Sequence, residues 1–129
     1  LLYLTQDIAM QTLSKVDLDK LTRFRKILNI FRTLDSDMTI GEIISLIEIA
    51  KGMRKDGSGP NITALAEVCD FPLSSTSRYT IKMAGKTKSA FTDAPLISNN
   101  RSPLNDRMKE LRLTPRGTLV LNQLTDLME

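Results

Sequence analysis

Apolar positions recur at helical spacing along most of this chain and switch to alternation near its C-terminal end. From Asp17 to Leu34, the residues Leu21, Phe24, Ile27 or Leu28, and Phe31 form one stripe, the mark of an amphipathic helix. Leu1 to Val16 is mildly periodic, with Leu4, Ile8 and then Gln11 or Thr12 at similar spacing. Thr39-Ile40-Gly41-Glu42 puts a hydroxyl three residues ahead of a glutamate, the spacing of a capping box. Ile43, Ile44, Leu46, Ile47 and Ile49 follow, apolar nearly all round, so this helix is expected to be central and buried. Gly52 and then Asp56-Gly57-Ser58-Gly59-Pro60 end it in a flexible turn.

Beyond that turn, Asn61 is a good N-cap for a short helix expected to bury Leu65, Val68 and Cys69. Asp70-Phe71-Pro72 breaks it, because the residue before proline avoids helical angles. A second short helix is expected from about Leu73 to Ala84, which makes the pair a helix-turn-helix. If Thr76, Tyr79 or Thr80, and Met83 face inward, then Ser74, Ser75, Ser77, Arg78 and Lys82 share the outer face. Hydroxyls near a helix start suit phosphate oxygens, and Arg78 has the fork to grip guanine or phosphate, while Lys82 suits a phosphate. Taken alone, this segment also fits a polar surface helix.

The alternation comes in Asn105-Asp106-Arg107-Met108-Lys109-Glu110-Leu111-Arg112-Leu113, read as the return strand of a charged hairpin. Thr114 then offers an N-cap hydroxyl, and Pro115 occupies the first helical position, where its missing N–H does no harm. A strand with arginines at its loop end, followed at once by a capped helix, is how a winged helix presents its wing to DNA.

Charge sharpens this picture. The net charge is only +3, yet Phe71 to Arg116 holds nine basic and three acidic residues, a balance of +6. The remainder holds nine basic and twelve acidic residues, or −3. A chain polarised in this way has a face suited to a polyanion, although solvated surface charge would produce the same count.

Composition removes several function classes. With 129 residues a single core is expected, burying roughly two-thirds of the unfolded chain's surface. No apolar run nears the ~20 residues needed to span a bilayer, so no membrane partner is expected. No signal peptide is visible in a chain that opens on leucine, and its one cysteine points to a reducing cytoplasm. Without histidine there is no Ser-His-Asp triad and no ordinary zinc site, and Asp56-Gly57-Ser58-Gly59-Pro60 lacks the lysine of a phosphate-binding loop. No catalytic residue, metal or cofactor is therefore expected.

From Thr39 to about Leu124 the chain resembles the MarR (multiple-antibiotic-resistance regulator) family of winged-helix transcription factors. The pieces come in order: Thr39-Ile40-Gly41-Glu42, Leu65-Ala66-Glu67, Ser74-Ser75-Thr76-Ser77-Arg78, then Leu96-Ile97 as first wing strand. Asn105-Asp106-Arg107 and Leu111-Arg112-Leu113-Thr114-Pro115-Arg116-Gly117 follow, and the Leu-Thr-x-x-Gly ending is the most specific marker. The resemblance implies a mainly α, α+β fold: a winged helix-turn-helix with a two-stranded wing and terminal dimerisation helices. It divides one compact domain into residues 1–34, part of the dimer interface, a DNA-binding core at 35–114, and a C-terminal dimerisation helix at 115–129. It also implies that Arg107 enters the minor groove from the wing, with Asn105 standing where the family has an orienting aspartate. As a DNA-binding regulator the chain is expected to use Arg101 and Lys109 in the wing as well, and Lys86 and Lys88 lie where they are expected to reach the DNA backbone.

Two departures stand out. Gly85 to Pro95 is longer than the family's usual connection, and it could extend the helix, add a turn or be mobile. Cys69 lies on the first helix of the helix-turn-helix, far from the N-terminal position of the family's peroxide sensors, and is expected to be a packed, unreactive thiol.

A homodimer is implied, built from the apolar ends Leu1, Leu2, Leu4 and Ile8 and Leu119, Val120, Leu121, Leu124, Leu127 and Met128. Those leucines would otherwise complete the monomer's own core. A two-fold dimer calls for double-stranded DNA with a pseudo-palindromic site, its half-sites about one turn, ~10 base pairs, apart. The family's small aromatic effectors find no convergent polar set here. The expected function is a sequence-specific DNA-binding transcription regulator; the alternative is a winged helix used as a protein-interaction module in a replication or assembly complex.

Overall fold

A computed structural model describes residues 12–102 and 105–129; for 101, 102 and 105–108 the backbone alone is described. The expectations for residues 1–11, including the apolar Leu1, Leu2, Leu4 and Ile8, lie outside the described residues. Among the described residues, five helices and a two-stranded antiparallel sheet follow in order: α1 (Lys15–Leu34), α2 (Ile40–Gly52), α3 (Ile62–Cys69), α4 (Leu73–Met83), β1 (Ile97–Ser102), β2 (Asn105–Leu113) and α5 (Pro115–Leu127). This is the mainly helical winged-helix class expected from the sequence.

Local chemistry sets the boundaries. Ser14 caps α1, Thr39 and Glu42 close a reciprocal capping box on α2, and Asn61 accepts from Ala64 N on α3. Thr114 accepts from Gly117 N at the start of α5, with Pro115 at its first position. Asp70 takes the left-handed conformation (φ 56°) that ends α3, and Pro72 leads into α4.

The core gathers Phe31, Leu46, Ile49, Leu65, Met83, Phe91, Leu96, Ile97, Leu111, Val120 and Leu124. It lies where α2 packs on α3, α4 and β2, while α1 runs against α5. Burial differs from expectation on three helices. On α2 only Leu46 and Ile49 of the apolar set are buried, beside Glu42 and Ser45, and Ile44 and Ile47 are exposed. On α3 Leu65 and Ala66 face inward and Val68 is exposed. On α1 the stripe splits: Ile27 and Phe31 enter the core, whereas Leu21, Phe24 and Leu28 stand at 52%, 56% and 46% exposure. Periodicity reports that a face is apolar, but not which neighbour covers it.

The segment Gly85–Pro95 neither extends α4 nor adds a helix. Gly85 turns the chain at φ 72°, Ser89 and Thr92 bond each other's main chain, and Phe91 fills the core completely buried. Leu96 N then donates to Met83 O at 3.0 Å, so the loop is stitched to the end of α4.

Candidate nucleic-acid interface

The α3–α4 pair forms the helix-turn-helix, and its inner face is set by packing. Thr76, Thr80 and Met83 are fully buried. Tyr79 lies edge-on to Phe71, ring centroids 5.9 Å apart, with its ring over Gly41 of α2. The buried hydroxyls satisfy themselves within the helix, Thr76 donating to Pro72 O and Thr80 to Ser77 O.

That packing leaves Ser74 and Arg78 exposed and Ser75 and Ser77 half-buried. Arg78 reaches Ser75 Oγ at 3.4 Å, so both lie on one patch near the start of α4. No side chain caps this helix start, because Pro72 occupies the cap position. The first-turn N–H groups thus point outward, where an anion suits both their donors and the helix dipole.

Lys82 corrects the sequence reading. Its ammonium lies 2.7 Å from Asp35 Oδ2 and 3.0 Å from Glu42 Oε2, between α4 and the junction of α1 with α2. The lysine faces inward because two largely buried carboxylates need a cation more than solvent does. Burial disfavours its charge, but hydrogen bonds to both carboxylates hold its pKa above the ordinary lysine value. Asp35 is correspondingly held low, first by its hydrogen bond to Lys82.

Other basic groups divide in the same manner. Arg112 pairs with Glu110 at 2.8 Å, and Arg116 donates to the carbonyl of Ala94. Arg78, Lys86, Lys88 and Lys109 are exposed. Of the wing residues, Arg101 and Asn105 fall on β1 and β2 with Arg107 on β2, and their side chains lie outside the described residues. Strand register sets Arg101 opposite Lys109 and Ser102 opposite Asn105, with an irregularity between Arg101 and Ser102.

Ser77 and Lys109 meet across a hollow of about 440 Å³ between the start of α3, the outer side of α4 and the wing. Asn61, Thr63 and Asn99 line it as well, and the sequence reading missed all three for this role. Only β1–β2 pairing brings Asn99 there; alternation from buried Ile97 was the available signal.

Cys69 is half-buried, and burial, helped by Glu48, pushes its thiol pKa up, which is the opposite of activation. Among the described residues no cluster of His, Cys, Asp or Glu could hold a metal, and no helix is long and apolar enough to cross a membrane.

No family profile and no curated protein matches the sequence. Solved structures of MarR-family regulators do match the fold. YusO from Bacillus subtilis superposes with TM-score 0.59 at 15% identity, over 97% of this chain and 75% of that one. The S. aureus MepR–DNA complex gives 0.56 at 14% identity, over 98% and 82%. A mutant of E. coli MarR complexed with operator DNA gives 0.55 at 15% identity, over 87% and 69%. At these identities the likeness establishes architecture, and the chain is built as a MarR-like winged helix.

Proposed function

We propose that this protein is a sequence-specific, double-stranded DNA-binding transcription regulator with α4 in the major groove and the wing in the minor groove. The observation that carries this is the start of α4: an uncapped helix end bearing Ser74, Ser75 and Arg78, beside a wing with Lys109 exposed. Arg78 reads base edges, the serines and first-turn N–H groups take phosphate, and Lys86 and Lys109 hold the flanking backbone. Arg107, with Arg101 and Asn105, enters the minor groove. Lys82 is left out of the contact set. Relatives in fold that were crystallised with DNA support the reading.

The working unit is a homodimer on a pseudo-palindromic site. Leu18, Leu21, Phe24 and Leu28 make an exposed apolar row on α1, and Leu119 and Met128 are exposed on α5 and just after it. α1 and α5 pack together, with Arg23 donating to Glu129 O at 2.7 Å, and Phe24 lines one hollow with Leu127 and Met128, so the α1 row continues onto the end of α5. In this reading α1 and α5 dimerise and 35–114 bind DNA, and no catalytic step is assigned to the chain.

Fluorescence anisotropy with a labelled duplex library, titrated with wild type and Arg107→Ala at low and moderate salt, tests the proposal. Tight, salt-sensitive binding to a subset, weakened by the substitution, is the expected result. A weak background unchanged by Arg107→Ala would overturn it and favour a protein-docking wing.

A further inference from the structure

Lys82 lies in the last turn of α4, Asp35 is the C-cap of α1, and Glu42 opens α2 inside its capping box. One ammonium therefore ties three helices together at one junction. The carboxylate side chains are only 11% and 4% exposed, so the cation cannot leave without stranding like charges away from water. Glu42 is itself held, accepting from the Thr39 hydroxyl at 3.0 Å, which gives the cluster a rigid base.

The loop reinforces this end of α4. Ser89 Oγ donates to Lys82 O, Lys86 N to Ile81 O, and Leu96 N to Met83 O. The opposite end is open, with no side-chain cap and with Leu73 54% exposed. An angle fixed at the C-terminal end of α4 sets where its other end presents Ser74, Ser75 and Arg78. A small tilt at Lys82 is magnified there, because the 11 residues of α4 span about 16 Å.

We propose that Asp35, Glu42 and Lys82 are positioning residues for DNA recognition, fixing the angle of α4 relative to α1. The inference rests on the regulator reading and deepens it: the cluster sets how α4 is presented without touching DNA. Because Asp35 ends the helix whose apolar row serves dimerisation, the cluster links the dimer frame to the reading helix.

Duplexes enriched from a random pool by the wild-type protein are the probe, titrated with wild type, Asp35→Asn, Lys82→Met and Lys82→Arg across a salt series. Amide hydrogen exchange over α4 and α5 is followed in parallel. Asp35→Asn makes the protein more positive, so electrostatics alone would tighten binding. Positioning reverses that sign: binding to the enriched duplex weakens about tenfold, the scale of one lost base contact, with an unchanged salt slope. Exchange rises in α4 and not in α5, and Lys82→Arg, which keeps a cation, stays closer to wild type than Lys82→Met. Binding as tight as wild type in Asp35→Asn would overturn the inference, as would a Lys82→Met salt slope reduced by about 0.9, the loss of one phosphate contact. Should the wild type enrich no duplex, the regulator reading fails by itself; unchanged α4 exchange in Asp35→Asn would still overturn the cluster's role.

Discussion

Gly117, one turn into α5, packs directly beneath the main chain of Leu96, and a Cβ built there collides with the Leu96 carbonyl oxygen. The same carbonyl accepts from Thr114 N at 3.0 Å, and the Thr114 hydroxyl donates to Pro95 O while capping Gly117 N. This gives the Leu-Thr-x-x-Gly marker a physical reason. Threonine joins the helix start to the entry of β1, and glycine permits the close approach. Gly117→Ala should therefore cost about 2 kcal/mol or more in urea unfolding, because a backbone oxygen cannot swing aside.

Gly41→Ala is a milder test of the same kind. Its new Cβ would meet the Tyr79 ring at 2.6 Å, and a ring end can move where a carbonyl cannot. A loss near the lower end of ~1–3 kcal/mol is expected, smaller than for Gly117→Ala. The tyrosine emission should change as well, since Tyr79 is one of only two tyrosines.

Acid stability should report the Asp35–Lys82 contact. Asp35 is held below its ordinary 3.8, so its contribution is complete at neutral pH and is lost as pH falls through the lower folded value. Asp35→Asn should flatten the fall in unfolding free energy below that ordinary value. At the alkaline end Lys82 is held above 10.5, and its contribution is lost only as pH rises through the raised value. Denaturant titrations at stepped pH measure both limbs.

Dimerisation is tested on α1. Phe24→Asp and Leu21→Asp alter side chains already 56% and 52% exposed, so the fold should survive while association is lost. Sedimentation should show a dimer for wild type and a monomer for each variant, with far-ultraviolet circular dichroism retained.

On DNA, Arg78→Ala and Lys109→Ala should separate reading from charge. Loss of Arg78, exposed on the outer face of α4, should cost about 1–3 kcal/mol on the selected site and blur preference among sequences. Loss of Lys109 should weaken all duplexes alike and lower the salt slope by about 0.9. Anisotropy on selected and scrambled duplexes distinguishes the two.

What could be read from the residues in order was chemistry that closes over a few positions. The Thr39–Glu42 box, the Asn61 and Thr114 caps and the Pro72 break each depend on groups within a turn of one another, and all form as expected. The alternation of Leu111 and Leu113 marked the inner side of the wing for the same reason. Tertiary structure decided matters of distance. Lys82 shares helical spacing with Arg78, yet it turns to a carboxylate 40 positions away that local pattern cannot reveal. Phe91, in a stretch without periodicity, becomes core because the loop folds back against the end of α4. Leu21 and Ile27 read alike in the sequence, but α5 and the core cover one and leave the other exposed. Caps and turns are set by neighbours in sequence; burial and ion pairing are set by whatever lies opposite in space, and only the assembled chain supplies that.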